Sequence, residues 1–254
     1  MSGRWTRGRM LAQFSRWEAA CPEQAGLLDA EAREYLDYHA TRYARLLDAV
    51  QELAGRAGPE EPLRVLDVGP NIQTGLLRTI QPESVVDTLG FANPAVPPRE
   101  RERHQEFDLN HSSERGRWPV LSRQYDLIVV AEVLEHLHIP ASMVLEFLGH
   151  QLRRPGFIII QTPNAAALHK RLALLLGRNP VQAPRACQEN PGHFHEYTVR
   201  ELRDQLRAGG LTIDWLRAEN YFGSGRPAEL YRAAGHLMPA TWRHGVTLCV
   251  RAGD

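Results

Sequence analysis

Between residues 63 and 252 the chain alternates short apolar runs with stretches of helical periodicity, and this alternation limits the fold more than any other feature. The runs are "LRVLDVG" at 63, "SVVDTLGF" at 84, "RHQEFDL" at 103, "YDLIVVAE" at 125, "GFIIIQTP" at 156, "LTIDWLRAEN" at 211 and "VTLCVRA" at 246. Strands separated by helices pair in parallel through crossovers, and runs such as "LIVV" and "FIII" suit strands buried on both faces. The expected architecture is therefore an α/β, doubly wound sheet. Ligands in such sheets sit beyond the carboxyl ends of the strands, near the point where strand order reverses.

Ahead of the sheet, Leu36, Tyr43, Leu46, Leu47, Val50 and Leu53 recur at three and four residues between Asp29 and Ala54, predicting an amphipathic helix that "GRAGPEEP" then breaks. The first seventeen residues carry four arginines and no acid, with Met10, Leu11, Phe14 and Trp17 at helical spacing. A transit peptide or a membrane-surface helix shares that pattern, but a helix that packs Phe14 and Trp17 on the domain accounts for it equally simply. The expected division is a helical extension or lid over 1–58 and the main domain over 59–254. Within the latter, 164–195 is long for a connection and reads as a substrate lid, and 222–245 as an insertion.

With 254 residues, 43% of them hydrophobic and 24% charged, the chain can bury one large α/β core. Its 30 basic and 30 acidic residues balance, so no global field draws it to nucleic acid or to an acidic membrane. Cys21, Cys187 and Cys249 are scattered without CxxC spacing, which fits a reducing compartment, the cytoplasm by default, and argues against a disulfide framework or a thiolate zinc site. No apolar run is long enough for stable insertion in a bilayer.

Four segments carry candidate chemistry. "RVLDVGPNIQTG" ends a strand in Asp67 and lets the backbone approach a ligand at Gly69, before a helix with unpaired N–H groups. "EFDLN" sets Asp108 and Leu109 after the third strand, and "YDLIVVAEVLEHL" ends the fourth at Ala131 and Glu132 and enters a helix through His136. "HFHEYTVRELRDQL" contains Thr198 and Glu201 at capping-box spacing, so helix initiation explains part of it.

In this order, with "RRPGFIIIQTPN" between the last two, the segments resemble the Rossmann-like (class I) S-adenosylmethionine-dependent methyltransferases, in particular their small-molecule branch, over roughly residues 60–220. The resemblance implies seven strands with the last antiparallel, and S-adenosyl-L-methionine as cofactor. It assigns Asp67, Gly69 and Gly75, with Pro70 and Asn71 between the glycines, to the methionine moiety. Asp108 and Leu109 fall to the adenine, and Ala131 and Glu132 lie beneath the sulfonium. Two departures stand out. Pro70 and Asn71 replace the usual glycine, Asn71 being able to take a left-handed turn position. The strand-two acid that holds the ribose is missing, leaving Asn93 as its neutral substitute and Asp87 several residues too early.

Two H-x-H pairs remain, His136 with His138 and His193 with His195. No metal site is expected from them, because alternate residues on a helix point apart. His136 and His195 are instead the candidate bases for taking a proton from the acceptor, although positioning alone can drive methyl transfer. On the preceding helix, Tyr35, His39, Arg42 and Tyr43 share a face, where an arginine could meet the cofactor carboxylate. The expected activity is methyl transfer to a small-molecule acceptor in biosynthesis, at oxygen before nitrogen or carbon. The alternative is a methyltransferase-like binding or scaffolding protein without catalysis, and the sequence leaves room for an oligomer or a protein partner. A nicotinamide dehydrogenase is disfavoured, since both its G-x-G-x-x-G spacing and its following acid are missing.

Overall fold

The computed structural model describes residues 4–20, 30–56, 62–80, 83–187 and 192–253. Seven strands form one sheet: β1 (Arg64–Val68), β2 (Val85–Gly90), β3 (His104–Glu106), β4 (Tyr125–Ala131), β5 (Leu152–Pro163), β6 (Leu211–Glu219) and β7 (Gly245–Ala252). Their order is β3-β2-β1-β4-β5-β7-β6. All pairings are parallel except those of β7, which runs antiparallel to β5 and to β6. Each of the seven apolar runs is thus a strand, and β7 is the antiparallel one. Order reverses between β1 and β4, which places the ligand-binding crevice beyond their carboxyl ends.

Side chains alternate across a strand, so a strand covered on both sides must be apolar at every position. On β4, Ile128 and Val130 face a core with Val144, Leu145 and Phe147 of α4 (Ala141–His150) and Leu202 and Leu206 of α6 (Val199–Ala208). Leu127 and Val129 face the opposite core, with Leu46, Val50 and Leu53 of α2 (Ala30–Ala54). Between α4 and α6 lies α5 (Leu168–Leu175), and α7 (Gly225–Ala234) follows β6. Thr198 caps α6 in the box read from the sequence: its hydroxyl accepts from Glu201 N at 3.2 Å while Glu201 accepts from Thr198 N at 2.8 Å.

The basic N-terminal stretch forms α1 (Arg7–Ala20), with Met10, Phe14 and Trp17 buried against Leu36, Ala40, Tyr43 and Leu47 of α2 and Leu76 of α3 (Ile72–Ile80). The packing reading of Phe14 and Trp17 is therefore the correct one. No helix among the described residues is long and apolar enough to cross a membrane. Cys187 is exposed and Cys249 buried; Cys21 and the 58/59 boundary lie outside the described residues.

α1 also explains a glycine. A Cβ on Gly75 would lie 2.6 Å from the Trp17 ring, so this glycine opens α3 to the indole. Gly75→Ala should therefore overpack the junction and destabilise the protein by about 1–3 kcal/mol. Chemical denaturation of the single variant and of its combination with Trp17→Leu checks this, the second change recovering most of the loss.

Candidate functional site

The turn after β1 shows how the chain manages without the expected glycine. Gly69 turns the backbone at φ +76°, held to β2 by its N–H donating to Leu89 O at 2.9 Å. Asn71 is not left-handed: its Oδ1 accepts from Gln73 N at 2.8 Å, and its own N–H donates to Thr74 Oγ1 at 3.1 Å. The asparagine caps the N-terminus of α3, a role for which its side-chain carbonyl is suited and which removes the need for a positive φ. Pro70 has no N–H to satisfy, and its carbonyl accepts from Asn93 Nδ2 at 3.0 Å.

Asp67 stands beneath this turn. It is fully buried, with Gln73 Nε2 at 2.7 Å and Thr74 Oγ1 at 2.6 Å donating to its two oxygens, and burial pushes its carboxyl up to about 7. Asp67 thus ties β1 to α3 and, like Gly75 and Ala131, takes no part in the cavity wall. Asp87 is consumed in the sheet: its oxygens accept from Arg103 N at 2.8 Å and from the Tyr125 hydroxyl at 2.9 Å.

Beyond the strand ends lies a cavity of about 1240 Å³, walled on one side by Gly69, Pro70, Asn71, Asn93, Asp108 and Leu109. Asp108 Oδ1 accepts from Asn110 N and Nδ2, both at 2.9 Å, so Oδ2 is the oxygen left for a ligand donor. A side chain on Gly69 would crowd Val133 at 3.1 Å, and one on Gly90, at φ +125°, would sit 3.5 Å from Gly69 N. Close backbone approach at this edge needs both glycines. Asn93 lines the cavity, but its amide is also engaged with Pro70 O and with Ala95 N, at 2.9 Å to the latter.

The helix expected after β4 is not formed. Ala131 ends the strand, Glu132 donates its N–H to Gln161 O at 2.8 Å and then turns at φ 57°, and Leu134–His136 make one 3-10 turn. Among the described residues Glu132 is the one non-glycine at positive φ, a conformation that costs about 1–3 kcal/mol. The kink turns Glu132 and His136 to the cavity wall. Glu135 is fully buried, accepting from Thr162 Oγ1 at 3.1 Å. Burial, then the charge of Glu135, raises the Glu132 carboxyl, and burial raises Glu135 too.

From the segment before α6, His193 rather than His195 reaches this wall. The His136 and His193 rings meet edge to face, 4.8 Å between centroids. Burial holds His136 below the ordinary imidazole value. His195 lies outside the cavity wall, half exposed, with Nε2 3.6 Å from Glu201 Oε1. Glu196 bridges inward, joining His193 to the buried Lys170, the chain's single lysine. Glu196 and Lys170, absent from the sequence-derived candidates, gave no signal there, because their partners are distant in the chain.

On α2, Tyr35, Tyr38 and His39 complete the wall, and Arg42 is fully buried behind them. Its Nε donates to His39 Nδ1 at 3.1 Å and Nη1 to Gln161 Oε1 at 3.4 Å, while Nη2 finds no acceptor among the described residues. A buried guanidinium with a spare donor is a binding point for an anion. Segments 164–195 and 222–245 supply the far wall, through Val181 and Arg185 from the first and Phe222, Tyr231 and His244 from the second.

The methyltransferase-domain family profile matches residues 38–215, and the chain belongs to that family. Its fold is that of the class I S-adenosylmethionine-dependent methyltransferases, and S-adenosyl-L-methionine is the cofactor that family and fold imply. Among solved structures, it is similar to the 1,6-didemethyltoxoflavin-N1-methyltransferase of Burkholderia thailandensis at 17% identity, with 93% of this chain and 90% of that one covered and a TM-score of 0.52. An S-adenosylmethionine-dependent methyltransferase from Clostridium acetobutylicum gives 12% identity, 92% and 100% coverage and a TM-score of 0.53. One from Archaeoglobus fulgidus gives 13%, 87% and 99%, and 0.55. No curated protein sequence matches the chain.

Burial beside Arg42 makes His39 sensitive to acid. Burial, then the Arg42 charge, pushes the imidazole down to about 2. Between the unfolded value near 6.5 and this folded value, the unfolded state binds the extra proton, so His39 subtracts stability as pH falls through that window. The slope is about 1.4 kcal/mol per pH unit for one proton. His39→Gln, which keeps an acceptor for Arg42, should flatten the acid limb of stability against pH measured by urea unfolding between pH 6.5 and 4.5.

Proposed function

We propose that this protein methylates an oxygen of a small-molecule acceptor, with the two ligands bound side by side in the cavity beyond β1 and β4. The observation that carries this reading is the division of the cavity wall. One side offers a glycine-lined edge and a free carboxylate oxygen of Asp108, and the other offers aromatic rings and the cluster Glu132, His136 and His193.

The residues fit the cofactor. Gly69 and Gly90 leave room for close backbone contact, and the capped N-terminus of α3 borders the same edge. Asp108 Oδ2 is suited to accept from an adenine amino group. Asn93 takes the place of the ribose-binding acid, its amide shared with the Pro70 turn, and the unpaired Nη2 of Arg42 is suited to the methionine carboxylate. When bound, S-adenosylmethionine supplies an electrophilic methyl group on its sulfonium.

The chain's own contribution is orientation and exclusion of water. Tyr38, Phe222, Tyr231 and His244 make an aromatic wall suited to a flat acceptor body, and Val181 and Arg185 line the same cavity. His136, uncharged at neutral pH because it is buried, faces the cavity where an acceptor hydroxyl would lie, unlike His195. Holding nucleophile and methyl donor in line accounts for most of the rate that such a site can supply.

Calorimetric titration with S-adenosylhomocysteine tests the reading. Micromolar binding is expected, and Asp108→Ala should weaken it about 10–100-fold, corresponding to the loss of a hydrogen bond to a charged group. No heat at millimolar ligand from folded protein overturns the proposal and favours a non-catalytic role for the fold.

A further inference from the structure

The 3-10 turn after β4 and the segment before α6 bring three donor groups together. A carboxylate oxygen of Glu135 and one ring nitrogen each of His136 and His193 lie within 4.8 Å of one another. What matters is how their other atoms are held. His136 Nδ1 is 2.8 Å from Gly192 O; a carbonyl only accepts, so Nδ1 carries the hydrogen and Nε2 keeps its lone pair. His193 Nδ1 is 2.8 Å from a carboxylate oxygen of Glu196, whose other oxygen takes the Lys170 ammonium, and this again leaves Nε2 bare.

Glu135 is oriented in the same manner. Its Oε2 accepts from Thr162, while Oε1, fully buried, finds no donor among the described residues. Glu132 Oε1 is also buried and without a partner among the described residues, on the residue whose backbone is strained. Unsatisfied buried carboxylate oxygens are costly and call for a partner. Imidazoles whose far nitrogen donates to a carbonyl or a carboxylate are in the state that metal ligation requires, with the tautomer fixed and the ligand's basicity raised.

We propose that Glu135, His136 and His193, with Glu132 as a fourth ligand, bind one divalent transition-metal cation whose open positions face the acceptor end of the cavity. The donor set of two imidazoles and carboxylates, without thiolate, suits Mn²⁺, Fe²⁺, Co²⁺ or Zn²⁺. The proposal rests on the methyl-acceptor reading of the cavity for its role: a cation there would take the acceptor hydroxyl as a ligand and make it more acidic. His136 is then a ligand, and no separate base is required. Glu196 and Thr162 are positioning residues that touch the ligands and not the cation, and Lys170 in turn holds Glu196.

The test uses full-length protein freed of metal by chelation. Titration with Co²⁺, followed by visible absorption, and with Mn²⁺, followed by electron paramagnetic resonance, should show one equivalent bound. Pulsed resonance on the Mn²⁺ form should show two coordinated imidazole nitrogens. Glu196→Gln should weaken Mn²⁺ binding about 10–100-fold, and His193→Ala should weaken it further, with S-adenosylhomocysteine affinity retained in both. No binding of either ion at millimolar concentration, or a bound ion without nitrogen ligands, overturns the proposal without reference to any variant. Metal bound by a protein that ignores S-adenosylhomocysteine would instead leave the cation site standing and remove the methyltransferase reading.

Discussion

The cavity depends on parallel pairing of β1 with both neighbours. Asp67 pairs with Thr88 of β2 and Val129 of β4, so the three strands end at one level and their turns open on the same side. Because β2 and β4 leave β1 in opposite directions, these turns diverge, and the space between them is the cavity. The Asp67 carboxylate fixes the first of them by holding Gln73 and Thr74 of α3 inside the sheet edge. An acid at a strand end serves here as a fastener.

The same edge shows two ways of building a turn. After β1, relief comes from a glycine at positive φ followed by an asparagine cap, and the N–H groups of Asn71, Gln73 and Thr74 are satisfied within the turn. After β4 a glutamate itself takes the left-handed conformation, and its carboxylate oxygen stays buried and unpaired. Strain and an unpaired buried oxygen at one residue, beside a second buried acid and two oriented imidazoles, set this turn apart from the one after β1.

Much of the fold was legible in the sequence. The seven apolar runs, the amphipathic helix before them and the packing of Phe14 and Trp17 all follow from local periodicity, which secondary structure obeys directly. Asp108, Asn93 and Glu132, singled out through the family resemblance, all line the cavity, because each closely follows the end of a strand and strand ends are what such a sheet presents to ligands. Gly75 was read as part of the cofactor turn, and its true neighbour, Trp17, lies 58 residues earlier in the chain, too far for any local pattern to connect them.

What the sequence determined by itself is the alternation of strands and helices, and with it the sheet, its buried faces and the end at which ligands bind. Tertiary structure alone decided which side chains meet there. One ground against a metal site at the H-x-H motifs was the expectation of a helix after β4, since helical geometry drives alternate residues apart. One residue at positive φ and a single 3-10 turn change that, and they set His136 against His193, which is 57 positions further along the chain. Backbone conformation at one position, and contacts across so great a separation, are fixed by packing of the whole domain and leave no periodic trace in the chain.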